Sequence, residues 1–259
     1  MRIKTINFFE YGINEKRPNA KGLGDLLKSD RDLEYADLYG ADLRSFDLEG
    51  YDLYGADLRE SNLWKADLRN ANLQDANLES SEGLKVYALG ASLSGANLRN
   101  ADFYQSNFKN ANFAGADLRG AKLKGSNLIK TNFVLADLRG AYLYGADLRF
   151  SKLREAKCSN ANLSNTQLGG ADLRNANLFE ANLQNANLRG ANLRGADLRN
   201  ADLRFAFLEN ANFEGADLRG AKLMRAKGSQ TRWEGADLRG ARLEWNMKNE
   251  IVEGGGILE

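Results

Sequence analysis

The chain has 259 residues, of which 43% are hydrophobic and 27% are charged, a composition typical of a folded globular protein. Its 36 basic and 35 acidic residues nearly cancel, so the net charge gives no reason to expect binding to nucleic acid or to membranes. The absence of histidine and the single cysteine, Cys158, exclude Ser-His-Asp and Cys-His catalysis, histidine metal sites and an internal disulfide. No signal-peptide or transmembrane pattern is recognised, and we expect a cytoplasmic protein without a cofactor or metal.

Residues 1–30 do not fit the pattern of the rest of the chain and are predicted to form a small N-terminal cap. The segment 21–30, KGLGDLLKSD, is compatible with a short helix whose leucines cover the structure that follows. A cap is expected because an open edge of β-structure invites the addition of further strands.

From Leu33 to Leu243 a central hydrophobic residue recurs at every fifth position without loss of register. Leu or Phe fills all but five of these 43 positions, the residue two places earlier is usually alanine, and the residue just before is usually Asp or Asn. The five exceptions are Gly83, Ala88, Cys158, Gly228 and Trp233.

A period of five fits neither a straight helix nor a flat strand. On an α-helix five residues advance by about 500°, so the leucines would wander around the axis. On a strand an odd period would place successive leucines on opposite faces. The leucines share one side only if the chain turns once per repeat, with the central residue and the small residue two before it facing inward. Such a chain forms a coil whose turns stack about 4.8 Å apart around an interior of leucine.

The remaining positions of the repeat suit the turns of such a coil. Glycine occurs two residues after the centre, as at Gly40 and Gly120, where the backbone must turn. Asn or Asp before the centre, as at Asn187, can hydrogen-bond the neighbouring backbone.

These units, seen in ANLQNANLRGANLRGADLRNADL at 181–203, resemble the A(D/N)LXX repeats of the pentapeptide-repeat family. The resemblance covers about residues 31–245 and implies an all-β fold, a right-handed quadrilateral β-helix with four pentapeptides per coil. With four per coil, the 43 repeats make about 11 coils. The resemblance also implies a bacterial protein.

Two segments keep the register but lose the repeat. Residues 81–90, SEGLKVYALG, are either two degenerate repeats or a ten-residue loop that leaves the coil. The loop is favoured because two missing central side chains in succession would leave a void in the core. Residues 226–235 are predicted to be degenerate repeats. The candidate contact residues of the loop are Leu84, Val86, Tyr87 and Leu89.

Residues 246–259 are predicted to form either a C-terminal cap or a flexible tail, and the glycines at 254–256 favour flexibility at the very end. The resemblance adds a third interpretation, because some members of the family pair through their C-terminal ends. We therefore expect either a monomer or a dimer joined at that end.

Charge is unevenly distributed along the chain. Residues 30–80 contain 13 acidic and five basic residues, whereas residues 81–259 contain 19 acidic and 25 basic residues. The acidic part also carries outward aromatic side chains, so it is the candidate surface for a protein partner. Its residues are Tyr35, Tyr39, Tyr54, Trp64, Asp42, Asp47, Asp52 and Asp57.

Arginines also recur at twenty-residue spacing, each two residues after an aspartate, as in the pairs Asp117–Arg119 and Asp217–Arg219. Stacked like charges repel, and an adjacent column of aspartates offsets that repulsion. We therefore expect a ladder of ion pairs and not a phosphate-binding stripe.

Together these features favour a non-catalytic scaffold that presents a rod-like surface to an unidentified protein. The resemblance implies an alternative, because quinolone-resistance members of the family mimic B-DNA and occupy the DNA-binding saddle of gyrase. That mechanism requires a negative surface along the whole rod. This chain is acidic only in its first coils, so its charge disfavours gyrase as the partner.

Overall fold

The computed structural model describes residues 31–259, and the cap predicted for 1–30 lies outside the described residues. From residue 31 to residue 243 the chain winds as a four-sided coil, in which parallel bridges join residues twenty apart, from Asp32–Asp52 to Lys222–Arg242. Each pentapeptide contributes a single bridging residue and no longer strand. Four pentapeptides therefore complete one coil.

The coil has four faces, which we name from its first complete turn. Face A contains residues 31–35, face B 36–40, face C 41–45 and face D 46–50, and each face continues at steps of twenty residues. Residues twenty apart are thus stacked neighbours on one face, and residues five apart lie on adjacent faces.

Hydrogen bonds between coils use the central residue and its neighbours. The N–H of Leu33 donates to the carbonyl of Asp52 in the next coil at 2.7 Å, and the N–H of Tyr35 donates to the carbonyl of Tyr54 at 2.8 Å. The N–H of Asp52 donates back to the carbonyl of Arg31 at 2.9 Å. Stacking therefore satisfies three of the five backbone donors in each repeat.

Of the other two donors, one is satisfied at the corner between consecutive repeats, and the other is satisfied within the repeat where Asp or Asn precedes the centre. The N–H of Ala36 donates to the carbonyl of Leu33 at 3.0 Å, which closes a turn at the corner. The N–H of Glu34 donates to Oδ1 of Asp32 at 3.1 Å. The same aspartate or asparagine bond recurs along the coil, which confirms the role predicted for this position.

The corner residue, two after the centre, adopts a positive φ. Glycine takes this conformation at no steric cost, as at Gly140 with φ 65°, and asparagine tolerates it, as at Asn175 with φ 56°. Larger residues occur there as well, including Leu135 with φ 62° and Phe150 with φ 59°. A positive φ at the third residue of a hydrogen-bonded turn is the mark of a type II turn.

The core is a continuous stack of central side chains and the small residues two before them. Leu43, Leu48 and Ala41 are completely buried, and most of their equivalents along the coil are buried as well. Burial of one leucine side chain contributes about 1.5–3 kcal/mol. Since each repeat contacts only its neighbours, the coils stabilise one another in series.

Residues 81–90 follow the coil and do not leave it as a loop, contrary to the interpretation favoured from the sequence. Glu82 bridges to residues in the coils on both sides, and so does Tyr87. The void expected at Gly83 does not form, because the ring of Phe103 from the next coil occupies the space where a side chain at Gly83 would lie.

Larger side chains around this segment compensate for its small central residues. Val86 stands where alanine is usual and is buried, and its Cγ2 also lies next to Gly83. The rings of Phe103 and Phe108 meet edge to face, with centroids 5.4 Å apart. Aromatic side chains one coil further on therefore fill the core volume that Gly83 and Ala88 leave open.

Residues 226–235 also remain in the coil. The buried ring of Trp233 stacks on Phe213 in the coil before it, with centroids 4.8 Å apart and planes inclined by 13°. Trp233 and Met247 together lie against Gly228, whose missing side chain they replace.

The C-terminal segment is an ordered cap, not a flexible tail. Helix α1, Trp245–Glu253, lies over the last coil and buries Met247 and Ile251. After the glycines the chain returns to face B, where Asp237 bridges to Ile257. Among residues 31–259 no helix combines the length and the apolar character needed to cross a membrane.

Candidate functional site

The four aspartates of the predicted partner surface do not form one patch. Asp42 lies on face C, Asp47 on face D, Asp52 on face A and Asp57 on face B, so they encircle the rod. A partner that approaches from one direction meets only one or two of them.

Two of these aspartates are neutralised by an arginine two residues later. Arg44 donates from Nε and Nη2 to the two carboxylate oxygens of Asp42 at 2.7 and 2.6 Å. Arg59 binds Asp57 in the same way. The hydrogen bonds from these arginines hold the pKa of both carboxyl groups below the ordinary value. Their negative charge is therefore compensated locally.

A cluster of three carboxylates on face D is also balanced by an arginine. Asp47, Glu49 and Asp67 place oxygens within 4.8 Å of one another. Arg69 contacts two of the three, with Nη2 at 2.9 Å from Glu49 and 2.6 Å from Asp67. A guanidinium thus already holds the position in which a cation would lie.

The predicted aromatic residues also lie on different faces. Tyr35 and Tyr54 meet edge to face on face A, with ring centroids 5.3 Å apart. Tyr39 lies on face B, where the Arg59 guanidinium is 5.4 Å from its ring centroid. Trp64 lies on face C. The structure therefore brings together one pair of the four.

Face C carries a stripe of large, mostly exposed side chains, which we call the aromatic column. It occupies the position directly after the centre in five successive coils, where Trp64, Leu84 and Tyr144 are 38%, 37% and 44% exposed. The members of the column are twenty residues apart in the sequence, starting from Trp64. The five-residue period alone does not show that they share a face. The column consists of Trp64, Leu84, Tyr104, Lys124 and Tyr144.

Lysines lie over the aromatic rings of the column. Lys124 lies between two tyrosines, with Nζ 5.7 Å from the ring centroid of Tyr104 and 5.5 Å from that of Tyr144. The Nζ of Lys65 is 4.5 Å from the ring centroid of Trp64. Between Trp64 and Leu84 lies an open groove of about 270 Å³, which is also lined by Arg44, Asn62 and Glu82.

The residues proposed as loop contacts have different environments. Leu84 is part of the aromatic column, and Tyr87 is exposed on the adjoining face D. Leu89 is half-buried, and Val86 belongs to the core and has no surface to offer. Tyr142, which the sequence interpretation missed, is 53% exposed beside the column.

Beyond Tyr144 the next three positions of the same column are polar or charged. Ser164 is buried, and Gln184 donates to the carboxylate of Asp202 at 2.8 Å. Arg204 binds the same carboxylate through Nη2 at 2.7 Å. The run of large side chains is interrupted here, and exposed apolar side chains return on face C at Phe205 and Met224, which are 40% and 45% exposed.

The predicted ladder of ion pairs on face B is confirmed. Arg119 donates from Nε to Oδ1 of Asp117 at 2.8 Å, and the same nitrogen is 4.0 Å from Asp137 in the next coil. Arg199 and Asp217 repeat this contact between coils at 3.7 Å. Each of these guanidinium groups is therefore engaged by carboxylates of its own coil and of the next.

Cys158 points into the core, as predicted for a small apolar filler. Burial, together with the charge of Asp137, raises the pKa of the Cys158 thiol to about 12. The thiol stays protonated at neutral pH and is therefore unreactive.

Comparison with known proteins identifies the repeat. The family model for pentapeptide repeats matches this chain in five segments with eight copies, and the segments are residues 52–81, 90–125, 121–157, 156–195 and 191–227. No curated protein matches the chain in sequence.

Solved structures of pentapeptide repeat proteins are similar to the chain. HetL, involved in heterocyst differentiation regulation in the cyanobacterium Nostoc sp. strain PCC 7120, is 32% identical over 86% of this chain and 96% of its own, with a TM-score of 0.46. QnrB1, a plasmid-mediated fluoroquinolone resistance protein, is 20% identical over 67% of this chain and 89% of its own, with a TM-score of 0.60. A protein of the Arabidopsis thaliana thylakoid lumen is 25% identical over 56% of this chain and 80% of its own, with a TM-score of 0.23.

At its level of identity the likeness to QnrB1 concerns the fold. The family match covers well over half of the chain, and the four-sided coil of stacked pentapeptides agrees with it. The chain is a right-handed quadrilateral β-helix and belongs to the pentapeptide repeat family.

Proposed function

We propose that the protein is a non-catalytic scaffold of the cytoplasm that binds a protein partner through the aromatic column of face C. The observation that carries this proposal is the run of Trp64, Leu84, Tyr104 and Tyr144 on one face across five coils, in which Tyr104 is half-buried and the other three are exposed. Aromatic residues are enriched at the energetically dominant positions of protein interfaces. An isolated exposed apolar residue means little, but a contiguous stripe marks an interaction surface.

The remaining surface supports a scaffold over an enzyme. The aspartates of the repeat are used twice, as acceptors for backbone N–H groups and as partners of arginines, so they serve the coil itself. The single thiol is buried and protonated. Reactive carboxylates or thiols require a different environment, exposed to substrate and with a shifted pKa suited to proton transfer.

Gyrase binding by DNA mimicry is the second candidate, and the fold shared with QnrB1 is what favours it. Mimicry of DNA needs unpaired negative charge along the rod. Here Asp42, Asp57 and Asp67 are each bound by an arginine, and the later coils carry more basic than acidic residues. This distribution of charge favours a protein-binding scaffold over a DNA mimic.

The proposal is tested by affinity capture from the source cell with the full-length protein as bait. Quantitative mass spectrometry compares the wild type with Tyr104→Ala and with the matched control Gln184→Ala, which lies in the same column four coils further on. A partner retained by the control and lost by Tyr104→Ala is the expected result. A set of captured proteins that is identical for all three baits contradicts the proposal.

A further inference from the structure

We propose that the occupant of the aromatic column is an amphipathic α-helix with acidic flanks, laid along the rod axis. This inference rests on the function proposed above and specifies the chemistry of the partner. Three features of face C support it: the hydrogen bonding of its backbone, the spacing of its side chains and the positions of its lysines.

Face C presents no free sheet edge to an extended peptide, because most of its backbone N–H groups are already used in the stacking of the coils. The N–H groups of Lys65, Lys85 and Gln105 donate to carbonyls of the next coil, each at 3.0 Å. The N–H groups of Leu63 and Phe103 do the same at 2.6 and 2.8 Å. An extended peptide gains its affinity by pairing with a free sheet edge, whereas a helix satisfies its own backbone and needs only side-chain contacts. The face therefore favours a helix.

The spacing of the column matches the pitch of a helix. Neighbouring side chains of the column are one coil, or about 4.8 Å, apart, which is close to the pitch of about 5.4 Å per helical turn. Trp64 and Tyr144 are four coils apart, a distance of about 19 Å that corresponds to three to four helical turns. On an extended strand, side chains on the same side are about 6.7 Å apart. Within a few residues they no longer align with side chains of the column, which are about 4.8 Å apart.

The charges around the column select an acidic partner. Asp102 is paired with Lys122 at 3.2 Å, and Glu82 remains the acidic residue at the centre of the stripe. The same face carries Lys65 in the preceding coil, Lys85 in the coil of Glu82 and Lys124 two coils later, so the stripe has more lysines than carboxylates. Carboxylates on the flanks of a bound helix complement these lysines.

Single-stranded nucleic acid would also be attracted by lysines and aromatic rings, because its bases stack on exposed ring faces. Here the ammonium groups of Lys65 and Lys124 lie over the rings of Trp64, Tyr104 and Tyr144. Bases would have to displace these cations in order to stack. A helix instead places aliphatic side chains in the groove between Trp64 and Leu84 and leaves the cations where they are.

The test uses the full-length protein and a display library of about 20-residue peptides. Half of the library has a helix-forming framework with randomised positions, and the other half has proline-containing extended frameworks. Selected peptides are titrated against the wild type, Tyr104→Ala, Lys124→Glu and the control Gln184→Ala, whose melting temperatures are measured in parallel.

The proposal predicts that selection enriches helical peptides with apolar residues at positions i, i+3, i+4 and i+7 and with acidic flanks. Tyr104→Ala should weaken their binding at least about tenfold, and Gln184→Ala by less than about twofold. Lys124→Glu should weaken acidic peptides and strengthen variants of them in which lysine replaces glutamate.

Enrichment of extended or basic peptides overturns the helix assignment, and so does the absence of any peptide that distinguishes Tyr104→Ala from the control. Tighter binding of oligothymidylate than of any selected peptide, lost in Tyr104→Ala, shows that the column binds nucleic acid. If cellular capture still depends on Tyr104 while no helical peptide binds, the partner uses another form of contact, and only the present inference falls.

Discussion

The ring of Phe103 occupies the space beside Gly83 that the side chain of residue 83 would otherwise fill. The two residues are stacked neighbours on face C, one coil apart. Core volume lost at one central position is thus restored from the next coil. Packing in this protein is therefore balanced between residues twenty apart, not within each pentapeptide.

This relationship predicts strong coupling in a double-mutant cycle. Gly83→Leu alone forces the Phe103 ring from its position, and we expect it to destabilise the protein by about 1–3 kcal/mol. Phe103→Leu alone leaves a cavity and costs about 1 kcal/mol. The double variant restores the usual stack of leucines and should be more stable than Gly83→Leu. The free energy of unfolding in urea measures the cycle, and additive effects would show that Phe103 does not compensate for Gly83.

Because the corner residues have a positive φ, replacing a large exposed corner residue by glycine should not reduce the stability of the protein. Leu135 has φ 62° and is 59% exposed, so Leu135→Gly relieves backbone strain and removes little buried surface. We expect the free energy of unfolding to stay unchanged or to rise by up to about 1 kcal/mol.

The matched change is Gly140→Ala at the next corner. A Cβ at Gly140 has nothing within 4 Å, so its expected cost of about 1 kcal/mol comes from the backbone alone. A loss of stability in Leu135→Gly larger than that in Gly140→Ala would show that Leu135 packs against the rod more than its exposure indicates.

The ladder of ion pairs on face B predicts destabilisation in acid. The hydrogen bonds from Arg119 and Arg199 lower the pKa values of Asp117 and Asp197 below the ordinary value of 3.8. Because the folded-state pKa is lower than the unfolded one, these pairs stabilise the protein above pH 3.8, and that contribution is lost as the pH falls through the folded-state values. The melting temperature should be flat above about pH 5 and should fall below about pH 4.

Asparagine provides the control for this prediction, because it keeps the backbone hydrogen bond and does not titrate. Asn97 on face B already shows this, because its Oδ1 accepts a hydrogen bond from the N–H of Arg99 at 3.1 Å. Replacement of Asp117, Asp197 and Asp217 by asparagine should flatten the acid limb of the curve. If the acid limb stays the same, the loss of stability arises elsewhere in the molecule.

The compensated charge of the early coils predicts no effect on gyrase. Purified protein should leave the rate of DNA supercoiling unchanged, because Asp42 and Asp57 are bound by Arg44 and Arg59. Inhibition by the wild type that disappears when Asp42, Asp47, Asp52 and Asp57 are replaced by asparagine would instead support mimicry of DNA.

Much of the fold can be predicted from the sequence, because the information lies within each repeat. The five-residue period requires a turn per repeat, and residues such as Asn187 and Gly190 show which positions form it. The course of 81–90 cannot be predicted in this way. Its own residues are too small to fill the core, and what fills it lies twenty residues later, at Phe103.

The candidate site was harder to predict for a related reason. Trp64 and Leu84 are recognisable as outward apolar residues, but the sequence gives no reason to join them until the length of one coil is known. Aspartates such as Asp42 and Asp57 look like a charged patch in the sequence, yet the coil distributes them over different faces and pairs them with arginines.

Site-specific photocrosslinking tests the central claim, that the aromatic column contacts the partner, most directly. A photoreactive phenylalanine analogue is introduced in place of Tyr104 in one protein and in place of Gln184 in another, and both are irradiated in the source cell. We predict a crosslinked protein from position 104 that is absent from position 184. Equal crosslinking at both positions, or crosslinking at position 184 alone, would contradict the assignment of the aromatic column as the binding surface.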